Sequence, residues 1–329
     1  MEAVDVRGQL VWHELMTRDV PGATTFYSKV LGWNIQPWAA DPTYTICESN
    51  TGPKAGIFEI TADFPAEMPA HWVTYIGTRD VDGTVAAAVR AGGSIVKEPQ
   101  DVPGAGRYAV LMDPQGAIFA TLDPEKSRPD VALPPVGDFS WHELATSDHE
   151  AAFAFYSTLF GWQAMERMDM GPLGTYLIFG RNGLQRGGIY NKPADMPAPP
   201  NWLPYVRVPH ADAGFQSAMG VGAREAIAPM DVPGGSRIAS FFDPTGAAIA
   251  ISSVPVEEVS LPVKPKPKVR PKAKTKAKAK AKVPQKKKAA KKPAAKKKVA
   301  KKVARKAAKR VAPKKKPAAK KKGSARRKK

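Results

Sequence analysis

An apolar and aromatic run over residues 9–17 stops at Arg18-Asp19, the pattern of a strand closing just before a helix. Ala23, Phe26, Tyr27, Val30 and Leu31 then recur at helical spacing, and Gly32 stands where a helix C-cap belongs. Three short strand-like runs follow near 33–38, 43–48 and 55–60, broken by Asp41-Pro42 and Asn50-Thr51-Gly52-Pro53. This is a βαβββ module. After the proline-bearing stretch 63–69 the order starts again. A strand over 71–78 precedes a helix near 81–91 with an apolar face of Val81, Val85, Ala88 and Val89, stopped by Gly92-Gly93. Strands near 94–98, 106–112 and 117–122 complete the second module, the last two joined by the turn Asp113-Pro114-Gln115-Gly116.

Both modules then recur, over 138–191 and 201–253. Trp12-His13-Glu14-Leu15 returns as Trp141-His142-Glu143-Leu144, and residues 8–33 match 137–162 at 13 of 26 positions. One inserted residue later, Asp101-Val102-Pro103-Gly104 matches Asp231-Val232-Pro233-Gly234, and Asp113-Pro114-Gln115-Gly116 matches Asp243-Pro244-Thr245-Gly246. The expected organisation is a domain over 8–125, a proline-bearing linker over 126–136, a second domain over 137–255 and a tail over 256–329.

The runs Phe26-Tyr27 through Gly32-Trp33 and Phe155-Tyr156 through Gly161-Trp162, with both Asp-Pro-x-Gly turns, resemble the vicinal oxygen chelate superfamily of glyoxalase I, bleomycin-resistance proteins and extradiol dioxygenases. The resemblance covers about residues 8–254 and implies an α+β fold of four βαβββ modules in two tandem VOC domains. Each domain would be an open sheet curled around a cavity, with the helices outside.

Metal-using members place His, Gln or Glu on the first strand of each module and Glu on the last, converging on one divalent ion. At those positions this chain carries Trp12, Val73 and Ala120, then Trp141, Leu203 and Ala250. No cofactor is therefore expected, with a divalent metal at His13 or His142 as the lesser alternative. Strand parity puts Trp12 and Glu14 on one face, and His13 with Val11 and Leu15 on the other, against the helices. The expected site is then a cavity carboxylate in each half, Glu14 and Glu143, serving as general base or anchor. Trp12 and Trp141 would wall it, with Tyr44, Tyr75, Tyr176 and Tyr205 as further lining. The competing reading pairs the two glutamates with Arg107, Arg237 or backbone amides as structural supports.

Charge divides the chain. Residues 264–329 hold 34 Lys and Arg and no acidic residue, which leaves 17 basic against 30 acidic residues in front. A segment so charged and so poor in large apolar residues is expected to be disordered. Its Lys/Ala/Pro pattern resembles linker-histone tails, which implies sequence-tolerant DNA or RNA binding. Lys272, Lys274, Lys276, Lys296, Lys297, Lys298, Arg305, Arg310, Lys314, Lys315 and Lys316 are the candidate phosphate contacts. The proline-free stretch 294–312 is expected to become helical on phosphate.

The lone cysteine, Cys47, excludes an intrachain disulfide and reads as a core residue. Neither a signal peptide nor a membrane span is visible, so a cytoplasmic protein, possible as monomer or dimer and parked on the nucleoid by its tail, is expected. The leading functional expectation is a metal-free binder of a small organic molecule with a nucleic-acid-binding tail. The alternatives are a metal-dependent glyoxalase-like lyase, isomerase or dioxygenase, and an architectural histone-like protein.

Overall fold

The computed structural model describes residues 4–254, so every expectation placed on the tail lies outside the described residues. The first half runs β1 (Leu10–Thr17), α1 (Val20–Leu31), β2 (Asn34–Trp38), β3 (Asp41–Ser49), β4 (Gly52–Glu59), β5 (His71–Gly77), α2 (Val81–Arg90), β6 (Ser94–Val102), β7 (Gly106–Met112) and β8 (Ile118–Pro124). The second runs β9 (Phe139–Thr146), α3 (His149–Phe160), β10 (Gln163–Asp169), β11 (Thr175–Arg181), β12 (Leu184–Asn191), β13 (Asn201–Arg207), α4 (Ala211–Gly220), β14 (Arg224–Asp231), β15 (Arg237–Phe242) and β16 (Ala248–Ser253). Four βαβββ modules are present, and each half is one eight-stranded sheet.

The strand orders are β2-β3-β4-β1-β5-β8-β7-β6 and β10-β11-β12-β9-β13-β16-β15-β14. The two modules of a half meet where β1 pairs antiparallel with β5, and β9 with β13. Local chemistry sets the helix ends. The Asp19 and Asp80 carboxylates accept the amides of Gly22 and Gly83 at 2.8 Å, satisfying otherwise orphaned N–H groups. Gly32 and Gly161 close α1 and α3 at φ 67° and 71°, where a Cβ would be strained. Strand β6 runs past the expected 94–98 through the polar segment Lys97-Glu98-Pro99-Gln100. It lies at the sheet edge, where a proline leaves no ladder bond unmade on the open side.

The helices lie on the convex faces, but they are not on the outside of the molecule. Helix α1 packs on α4 and α2 on α3, burying the helix layer between the halves. One core joins Leu15, Phe26, Tyr27, Trp33 and Trp72 to Val206, Phe215, Phe241 and Ile249. The other joins Ile76, Val85, Leu111 and Phe119 to Phe155, Tyr156, Trp162, Phe179 and Trp202. Each half thus covers the apolar layer that the other half presents, and residues 4–254 form one compact unit. Val89, read as part of the α2 apolar face, is 46% exposed at the border of this layer.

The motifs that recur between the halves build this junction. The Tyr27 hydroxyl donates to Asp243 Oδ2 at 2.7 Å and receives Trp72 Nε1–H at 3.1 Å. Tyr156 repeats this with Asp113 at 3.0 Å and Trp202 at 3.1 Å. Trp33 Nε1–H donates to the Gly137 carbonyl and Trp162 Nε1–H to that of Gly8, at 2.8 and 2.7 Å. On the same buried layer His13 Nε2 and His142 Nε2 stand 2.6 Å apart, one carrying the proton that the other accepts. Burial lowers both pKa values, His142 to about 3, so the pair is neutral. The second cause at His13 is the facing His142.

Candidate ligand-binding site

The face of each sheet turned away from the helices carries Glu14 or Glu143. Parity assigns Trp12 and Glu14 to it correctly, whereas Val11 departs from its expected place with His13. A bulge between Leu10 and Trp12 shifts the β1–β5 register, so Val11 packs with Trp12 in the concave-face cluster. Leu10 packs instead into the helix-side core.

Glu14 receives two phenolic donors, Tyr44 Oη–H on Oε2 at 2.9 Å and Tyr75 Oη–H on Oε1 at 3.2 Å, and Trp12 Nε1–H donates to Tyr44 Oη at 3.1 Å. Glu143 has the same cage at shorter range. Tyr176 and Tyr205 each donate to it at 2.7 Å, and Trp141 Nε1–H reaches Tyr176 Oη at 2.8 Å. The eight residues singled out from the sequence as carboxylate, wall and lining therefore form two equivalent clusters. Arg107 and Arg237 are elsewhere, pairing with Asp82 and Asp101 and with Asp212 and Asp231, so the reading that makes them the glutamates' partners is wrong.

Two glycines that the sequence reading passed over make the cages possible. Gly56 pairs with Glu14 across β4–β1, and a Cβ there would overlap the Tyr44 phenol. Gly188 pairs with Glu143 across β12–β9 and makes the same room for Tyr176. The signal was available: Tyr44 and Gly56, like Tyr176 and Gly188, lie twelve residues apart in the two copies.

Burial raises the pKa of both glutamates, and the phenolic donors oppose the shift only in part. Burial first, and the adjacent carboxylate second, push Tyr44, Tyr75, Tyr176 and Tyr205 upward, so these phenols stay protonated donors. Each cluster is thus a carboxyl that gives up its proton at a higher pH than an exposed one, beside an aromatic wall. Around Glu14 the concave face is apolar, with Met16, Val73, Ala120 and Leu122 buried and Phe58, Phe64, Met68 and Tyr108 packed over them. Arg18 secures the covering 61–70 segment by donating to the Ile60 and Pro65 carbonyls at 3.2 and 2.7 Å.

Two stretches of the chain, 9–121 and 138–251, match the family model described as the Glyoxalase/Bleomycin resistance protein/Dioxygenase superfamily. The chain belongs to this superfamily. It is 30% identical over 245 residues to a Mycobacterium tuberculosis protein named "Putative glyoxylase CFP32", across 73% of this chain and 92% of that one. The anthracycline biosynthesis protein DauV of Streptomyces is 29% identical over 259 residues, across 74% of this chain and 92% of the relative. Among solved structures, the Mn(II)-bound glyoxalase of Novosphingobium aromaticivorans superposes with a TM-score of 0.54 at 16% identity, covering 75% of this chain and 82% of that chain. At such identity the likeness shows the fold.

A divalent metal of the kind such superfamily folds hold needs several converging imidazoles or carboxylates. Here Val73 faces Glu14 across the β1–β5 ladder and Ala120 faces Tyr75 across β5–β8. In the second half Leu203 and Ala250 take these places. Each concave face offers one carboxylate, with both oxygens already accepting phenolic hydrogens. Among the described residues no group of three or more His, Cys, Asp or Glu is placed to hold a metal ion. The lesser candidates His13 and His142 lie on the opposite, convex face, bonded to each other. The residues present do not fit the metal.

Cys47 is fully buried in the helix-side core, and burial pushes its thiol upward, as an inert core residue requires. No helix among the described residues is long and apolar enough to cross a membrane.

Proposed function

We propose that this superfamily member binds a small, partly apolar organic molecule on the concave face of one or both halves. The bound molecule is held by burial against Trp12 or Trp141 and by one hydrogen bond to the Glu14 or Glu143 carboxyl, and no catalytic metal takes part. The observation that carries the reading is the twofold occurrence of a part-buried carboxyl caged by two tyrosines and a tryptophan, in the first half beside an apolar cluster. Two phenolic hydrogen bonds only partly replace the hydration such a carboxyl loses, which leaves it able to reward a further donor from a ligand. The donor set around the glutamates supports the metal-free form of the reading. A relative named for anthracycline biosynthesis agrees with a planar organic ligand.

The test is thermal unfolding of the full chain across a panel of aromatic and carbonyl compounds. A binder raises Tm with concentration, and the rise disappears in Trp12→Ala/Trp141→Ala. A panel whose hits stabilise the double variant equally contradicts the reading.

The raised carboxyl pKa favours a second role at the same place, a general base that removes a proton next to a ligand carbonyl. Turnover lost in Glu14→Gln/Glu143→Gln with ligand affinity retained supports it. The lysine-rich tail is proposed to hold DNA or RNA through phosphate contacts, independently of base sequence.

A further inference from the structure

The two cages are alike, but what stands beside them is not. In the first half Lys97 Nζ and Gln100 Nε2 both donate to Tyr108 Oη, at 2.5 and 2.6 Å. The Tyr108 ring lies 6.0 Å from that of Tyr75, whose hydroxyl is already committed to Glu14. Having accepted two hydrogens, Tyr108 retains its own O–H, which has no acceptor among the described residues. Lys97 is exposed and keeps two further N–H groups. The rim of the first concave face therefore presents surplus donors and a positive charge, within electrostatic reach of Glu14.

In the second half the register puts different chemistry at the same places. Lys97 pairs with Val110 and Gln100 with Tyr108 across β6–β7; Ile227 pairs with Ser240 and Met230 with Ile238 across β14–β15. Lys97, Gln100 and Tyr108 are thus replaced by Ile227, Met230 and Ile238. Ile227 is 42% and Met230 47% exposed, so apolar side chains face solvent where the first half has a cation. Near Glu143 the added group is Tyr190, its ring 6.0 Å from Tyr176 in a stacked arrangement.

We infer that the halves select different ligands: the first takes an organic anion, its oxygens held by Lys97, Tyr108 and Gln100, and the second takes a neutral, flat apolar molecule against Ile227, Met230 and Ile238. The inference rests on the proposed concave-face binding and adds the charge class of each ligand. Its residues are specificity determinants outside the glutamate cage.

The experiment uses two probes of one ring system, anionic 8-anilinonaphthalene-1-sulfonate and neutral N-phenyl-1-naphthylamine, titrated by fluorescence into the full chain at 0.3 M salt, where a Debye length of roughly 6 Å weakens adsorption to the tail while charges in direct contact are still felt. Every variant shares the same tail, so differences between variants report the concave faces. Lys97→Met, which keeps the apolar stem, is expected to raise the Kd of the anionic probe about tenfold, the loss of one charge-assisted bond. The neutral probe is expected to be unaffected. Ile227→Lys/Ile238→Tyr is expected to add a second anion-binding step. An unchanged ratio of the two affinities in Lys97→Met overturns the inference. If the probes respond to Trp12→Ala and Trp141→Ala yet not to Lys97→Met, only the charge selection falls. If they respond to none of these, the binding reading falls with it.

Discussion

Glu14 and Glu143 hold their protons to a higher pH in the folded chain than an exposed carboxyl does, because burial penalises their charge more than two phenolic hydrogen bonds restore. A carboxyl raised in this way binds more protons folded than unfolded, so its ionisation costs stability as pH rises through the ordinary carboxylate range toward the folded value. Glu14→Gln/Glu143→Gln is therefore expected to gain Tm relative to the parent at pH 8 and to lose that advantage near pH 4. Thermal melts at the two pH values check it. The histidine pair has the opposite sign. Folded values held below the unfolded one give stability that is complete above about 6.5 and is lost as pH falls toward 3. His13→Gln/His142→Gln should flatten the acid limb of the melting curve between those values. At the junction, Tyr27→Phe leaves one Asp243 oxygen without its buried donor and is expected to cost about 1–3 kcal/mol in urea unfolding.

At the scale of elements, each module's strand and helix order could be read from apolar spacing and glycine or Asp-Pro punctuation, since these are local signals. The two glutamates and their tryptophans were legible because strand parity is also local. What covers the helices was not. Phe26, Tyr27 and Phe155 fall on an apolar stripe whose period says only that the stripe is buried, and the partner that buries it belongs to the other half of the chain. The Asp-Pro-x-Gly turns read as turns, yet Asp113 and Asp243 are also buried acceptors for the other half's tyrosine, a role set by tertiary packing. The bulge at Leu10/Trp12 escaped because parity assumes an unbroken ladder. Because each half supplies equivalent surfaces, residues 1–136 expressed alone should dimerise through the exposed helix layer. Analytical ultracentrifugation should show a dimer at micromolar concentration, and a folded monomer would contradict the packing argument.

For the whole molecule, an acidic body joined to a run of 34 cations predicts two separable activities. Removing 264–329 is expected to abolish duplex binding and leave the Tm of the remainder unchanged. In the full chain log K should fall linearly with log salt, by about 0.9 for each phosphate contacted, and equally for unrelated sequences. Fluorescence anisotropy with two scrambled duplexes measures both. The central claim concerns the concave faces, and native mass spectrometry of the full chain, purified without chelator, tests it most directly. The account predicts the chain mass plus one or two small organic adducts when a stabilising compound is present, and their loss in Trp12→Ala/Trp141→Ala. Stoichiometric retention of a divalent metal, or adducts indifferent to both tryptophans, would contradict it.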